Sequence, residues 1–226
     1  RLFYEGRKEE LVLTWHRMVR KTSMCLYPIF VFFVLNASDF IRLIYSDKYE
    51  GSASVFRIYL FLLLVRISDN TAMVRACDAT PIMLKASVLV FVSNLTLSLV
   101  LLKTIGFLGP AVGTVMAIYV NFAYIISRLR SLLGLSIGGV MPWRYLLRVL
   151  VISALCGASV LPLTHVVGFG ILSLLIKGLT FTGLYLVLAT WAGILEQADW
   201  ELVRRYTGFD LLWKRHGQRP GTGRPA

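Results

Sequence analysis

Residues 107–127 read FLGPAVGTVMAIYVNFAYIIS and hold no charged side chain; Arg128 is the first to follow. A hydrocarbon core about 30 Å thick is crossed by about 20 mostly apolar residues in a helix, and this stretch has that length. Five further blocks repeat the pattern: Met24–Ile44, Val55–Cys77, Pro81–Leu102, Tyr145–Val167 and Phe169–Leu195. The block Val55–Cys77 is the weakest, because Arg57, Arg66, Asp69 and Arg75 fall within it and its apolar run Ile58–Val65 is too short to span alone. Backbone polar groups must be satisfied within each segment in lipid, so the spans are expected to be helices. A membrane barrel would be polar at every second residue, and these blocks are not. The expected fold is all-α and polytopic, with six transmembrane helices.

Composition agrees. Of 226 residues, 57% are hydrophobic and only 16% charged, against about 45–50% and about 25% in soluble domains. Mean hydropathy is +0.69. The net charge of +12 would suggest a nucleic-acid partner in a soluble chain, but here the cations lie between apolar blocks rather than on one face. They point to membrane lipids and topology, with no nucleic acid. Counted by alternating connection, 18 of the 24 Lys and Arg fall on one side and four (Arg42, Lys48, Arg57, Lys103) on the other. By the positive-inside rule both termini are expected in the cytoplasm.

Connections carry turn chemistry: DKYEGS at Asp47–Ser52, Asp78–Pro81, Gly106 with Gly109–Pro110, GLSIGGVMP at Gly134–Pro142 as a flexible hinge, and Val167–Gly170. The organisation expected is a cytoplasmic amphipathic segment (1–23), four spans (24–130), a further pair (131–195) and a tail (196–226). In that tail Asp199–Arg215 suits a helix on the membrane surface or a solvated segment, and Gln218–Ala226 suits disorder. The chain opens on Arg1, not Met. A fragment with preceding residues missing and a natural C-terminus is expected.

Ionisable residues inside spans are the clue to function, since each costs about 2.5–3.5 kcal/mol at the centre of an isolated helix. Arg66 and Asp69 share a helical face and can pair. With Asn70 they form either a polar face on a watery cavity or an internal ion pair, and Arg75 lies nearer the cytoplasmic end. Asp39 and Arg42 repeat the i, i+3 spacing near the outer end of the first helix, where a structural role is expected. Lys177 either snorkels or faces other helices. Ser93 and Asn94 suit bonds between helices. Cys25, Cys77 and Cys156 lack metal-ligand spacing, and His16, His165 and His216 lie in separate segments without a catalytic or cofactor motif. No cofactor, metal or enzymatic activity is expected.

The order of features resembles a known family. A basic amphipathic stretch leads into a helix with Pro28, which ends in FIRLIYSDKY (Phe40–Tyr49). A second helix reaches a small-residue turn, and a third holds Asn94 in SNLTLSLVLL. A GxxGxAxxT pattern follows at Gly106, Gly109, Pro110, Ala111, Gly113 and Thr114. Residues 1–130 are in this respect similar to the C-terminal half of Wzx-type polysaccharide flippases, in the multidrug/oligosaccharidyl-lipid/polysaccharide exporter superfamily. Asp47-Lys48 replaces a usual loop glycine, and Pro110 stands where small residues are commoner.

The resemblance implies a bacterial inner-membrane transporter of 12–14 helices in two lobes. It would flip lipid-linked oligosaccharide by alternating access, with the first lobe in the missing N-terminal part and the final helix pair an addition. It also implies that Arg66, Asp69, Asn70 and Arg75 meet the substrate. The rival readings are a cation-coupled drug exporter using Asp69, and a membrane-embedded transferase, for which Asp47 and Glu50 are a thin acidic candidate.

Overall fold

The structure is a computed structural model that describes residues 7–68, 70–163, 168 and 170–194. Asp69 and the tail from residue 195, including the expected surface helix, lie outside the described residues. Among the described residues there is no strand. The helices are α1 (Lys8–Leu35), α2 (Ala37–Tyr45), α3 (Ser52–Leu60), α4 (Asn70–Ala76), α5 (Thr80–Ile105), α6 (Gly109–Leu133), α7 (Ile137–Val140), α8 (Trp143–Val160) and α9 (Ile171–Trp191).

Among the described residues, four helical stretches are long and apolar enough to cross a membrane: Lys8–Leu35, Thr80–Leu133, Trp143–Val160 and Ile171–Trp191. The chain is a membrane protein by that measure. The second stretch is folded back on itself. Gly106 adopts φ +69°, a conformation that favours glycine, and a 3-10 turn over Gly106–Leu108 sends α6 back along α5. The two arms approach so closely that a Cβ on Gly113 would lie 2.7 Å from the Ser98 amide nitrogen. Asn94 and Thr114, 20 residues apart, meet at 3.3 Å between Oδ1 and Oγ1, and Ser98 donates to the same Asn94 oxygen at 2.9 Å. At about 1.5 Å per residue each arm is about 38 Å long, enough for a core of about 30 Å.

The block Val55–Cys77 departs from the expected single rod. It comprises α3, a 3-10 turn over Phe61–Leu64, a bend through Ser68, and α4. The apolar run ends at Val65, and the polar residues beyond it bond locally: Ser68 Oγ donates to Asn70 Oδ1 at 2.9 Å.

α1 also differs, running unbroken from Lys8 and so joining the amphipathic segment to the first apolar block. It stops at Asn36, whose Nδ2 donates to the Phe32 carbonyl at 2.9 Å, and the chain resumes as α2. The connection 134–142, expected as a flexible hinge, is packed. Ser136 caps α7, Val140 and Met141 are buried, and His16 Nε2 lies 3.2 Å from the Val140 carbonyl oxygen.

Contacts define the two ends of the bundle. At one, Arg20 of α1 covers the Tyr145 ring of α8 at 4.7 Å, and Tyr145 donates to the Ile194 carbonyl just past α9 at 3.3 Å. The basic last turns of α6 (Arg128, Arg130) and first turns of α8 (Arg144, Arg148) flank the same packed connection. At the other end, Val31 and Leu35 of α1 sit against Gly157 of α8, and α2 meets both α3 and α9.

Gly113→Leu is expected to force α5 and α6 apart. Because backbone rather than a movable side chain stands in the way, the cost is about 3 kcal/mol, read as a lowered unfolding free energy in mixed-detergent titration.

Candidate functional site

Unwinding a helix inside an apolar bundle strips carbonyls of their donors. At the break in the second block the ladder tightens to a 3-10 turn, and Val65 N–H bonds to the Leu62 carbonyl at 3.2 Å. Two neighbouring helices add side-chain donors. Tyr119 of α6 donates its hydroxyl to the Phe61 carbonyl at 2.9 Å, and Tyr27 of α1 reaches the Leu64 carbonyl at 3.4 Å. Tyr119 is the eleventh of 25 residues in α6, so the break sits near mid-height of that helix. Irregular backbone at membrane depth persists where protein buries it or water reaches it, and half-helix ends at such depth recur at transporter binding sites.

The residues singled out from sequence fall around this break. Arg66 is exposed between buried Val65 and Ile67, at the point where the chain turns. Asn70 opens α4, its amide oriented by the Ser68 hydroxyl. Arg75 is exposed in the last turn of α4, away from the break. Asp69 lies outside the described residues. The structure therefore brings Arg66 and Asn70 to one discontinuity and leaves Arg75 at the far end of a short helix.

A large groove of about 710 Å³ lies elsewhere, between α1, α2 and α9. Met24, Ile29, Phe33, Leu43, Leu175 and Leu186 are among its walls. At 100° per residue this is the face of α1 turned away from Tyr27. Its lining is almost wholly apolar and carries no charged side chain to meet a phosphate.

Sequence reasoning missed a second set of polar contacts. Lys177, 1% exposed, donates to Asp39 Oδ2 at 2.7 Å, across 138 residues of chain. It faces other helices rather than snorkelling. Asp39 and Arg42, whose i, i+3 spacing suggests a structural role, each bond to another partner: Asp39 takes Lys177, and Arg42 bonds Glu50 at 2.5 Å and lies 3.6 Å from Asp47. Those two acids, the thin transferase candidate, are thus engaged by a guanidinium. Arg57 of α3 donates to the Val34 carbonyl at 3.3 Å and to Ser38 Oγ at 2.9 Å. A cation here meets the carbonyls a helix leaves open at its C-terminus, which is the one signal that could have placed it. Pro28 in α1 lacks the N–H that would bond Met24, and Tyr185 of α9 donates to that carbonyl at 2.9 Å.

No protein-family model, curated protein or solved structure matches the chain. What the site does is argued from its chemistry alone.

Two outcomes are expected. Tyr119→Phe removes the side-chain bond to the Phe61 carbonyl at a cost of about 1–1.5 kcal/mol, while Tyr27→Phe, losing a longer bond, costs about 0.6 kcal/mol; hydrogen exchange over residues 61–68 rises more in the first variant than in the second. Asp39→Ala strands the buried Lys177 ammonium at a cost of about 3 kcal/mol, and the double variant Asp39→Ala/Lys177→Met recovers most of that stability in the same detergent unfolding measurement.

Proposed function

We propose that this chain is part of a bacterial inner-membrane transporter that flips a lipid-linked oligosaccharide to the outer leaflet for cell-surface polysaccharide synthesis. The observation that carries the reading is the break at Phe61–Ser68, which holds an exposed arginine near mid-height of the bundle. A lipid-linked glycan presents a polar sugar and an anionic pyrophosphate that must be kept from hydrocarbon while the lipid tail remains in it. A guanidinium on a turn of irregular backbone can form charge-assisted hydrogen bonds to that phosphate, and water reaching the break relieves the cost of keeping Arg66 ionised.

In this reading the block of α3 and α4 makes one broken crossing, so that the chain crosses six times with both ends in the cytoplasm. The heavily basic end of the bundle then faces the cytoplasm. Asn70 bonds sugar hydroxyls, Asp69 orients Arg66 or takes a proton, and Arg75 meets the phosphate near the cytoplasmic mouth. The other lobe of the same protein completes the path. The resemblance in the order of Pro28, the FIRLIYSDKY stretch, Asn94 and the GxxGxAxxT pattern supports the same assignment.

The test is export by the full-length transporter. A charge-assisted contact is worth about 1.5–3 kcal/mol, or a factor of about ten or more. Arg66→Gln is expected to lower surface glycan at least about tenfold at unchanged membrane abundance, with partial activity in Arg66→Lys. Full export by Arg66→Gln removes Arg66 from the site and, with it, this reading.

A further inference from the structure

Ser38 and Asp39 are consecutive residues in the first turn of α2, and each is held by a different helix. Arg57 of α3 donates to Ser38 Oγ, and Lys177 of α9 donates to Asp39 Oδ2. Neither grip slides easily. Lys177 is 1% exposed while Asp39 keeps 32% of its side-chain surface, so the ammonium is sealed and its carboxylate is the partly open member of the pair. A charge enclosed in this way is stable only beside its partner, and α9 cannot leave α2 without stranding it. Arg57 is tied twice, to Ser38 and to the Val34 carbonyl at the end of α1. Lower down, Tyr185 pins α9 to the carbonyl that Pro28 frees in α1.

Arg57 and Arg66 belong to the same broken block, separated by the last turn of α3 and the 3-10 turn. A shift of α3 that repositions the break therefore pulls on Ser38, and through the adjoining Asp39 on α9.

We propose that α2 is a coupling strap that ties the position of the broken block to α9, so that α9 is a working part of the transporter and not a passive addition. The value of this coupling for transport rests on the reading of the break given above; the mechanical link does not.

Spin labels on Arg66→Cys and Val187→Cys, in full-length protein in lipid nanodiscs with Cys25, Cys77 and Cys156 replaced, report the distance between the break and α9. The parent is expected to give one narrow distance. Lys177→Met, similar in volume and uncharged, and Ser38→Ala, which removes only a hydroxyl, are each expected to raise the weight of a second distance about fivefold or more, the low end of measured couplings between sites. The exchange of charges in Asp39→Lys/Lys177→Asp should restore the parent distribution. An unchanged distribution in Ser38→Ala and Lys177→Met overturns the proposal, and so does a broadening that the exchange fails to reverse. Should Lys177→Met not insert, Ser38→Ala decides alone. The labels read geometry and not export, so loss of the strap and loss of the transport reading are seen separately.

Discussion

Hydrocarbon supplies no hydrogen bonds, and a carbonyl left in it must find a donor within the protein. Most of this chain meets that demand by continuous helix. Where the ladder is interrupted, tyrosine does the work. Tyr119 and Tyr27 serve the oxygens at the break, Tyr185 serves the one that Pro28 leaves open, and Tyr145 serves Ile194 past the end of α9. Each ring buries an apolar body and delivers one hydroxyl at its tip. The interruptions are tolerated because a neighbouring helix was built to complete them, and the bundle is held together partly by its own defects.

Charge follows a parallel rule. The cations that structure the interior are few and each has a specific acceptor: Lys177 takes Asp39, while Arg57 takes a helix end and a serine. Arg66 differs in being exposed at a discontinuity, and that difference makes it the functional candidate. Among the described residues, Arg128, Arg130, Arg144 and Arg148 flank the packed connection at one end of the bundle.

Much of the fold was legible because length and hydropathy are local. The long apolar helices, the turn at Gly106 and the return of α6 along α5 follow from composition and glycine placement. The GxxGxAxxT pattern acquires a physical meaning: Gly106 makes the turn, Gly109 (with Gly113 a turn further on) lets the backbones meet, and Thr114 closes on Asn94. The hidden features are those that depend on distant partners. Nothing near Lys177 announces Asp39, and local spacing pointed Asp39 towards Arg42. The unwinding at Phe61–Ser68 was foreshadowed by a short apolar run with polar residues after it, yet only Tyr27 and Tyr119, contributed by two other helices, make it tenable. Arg66 and Asn70 could be named from their polarity in an apolar block, but their place on a bend and not on a straight helical face could not.

Pro28 has one more consequence, for the order in which the molecule is made. Its i−4 carbonyl belongs to Met24, and the hydroxyl that answers it belongs to a residue synthesised 161 positions later. Asp39 waits 138 positions for its ammonium. α1 is thus chemically unfinished until α9 follows it out of the ribosome. During that interval water, lipid headgroups or the insertion machinery must stand in for Tyr185 and Lys177.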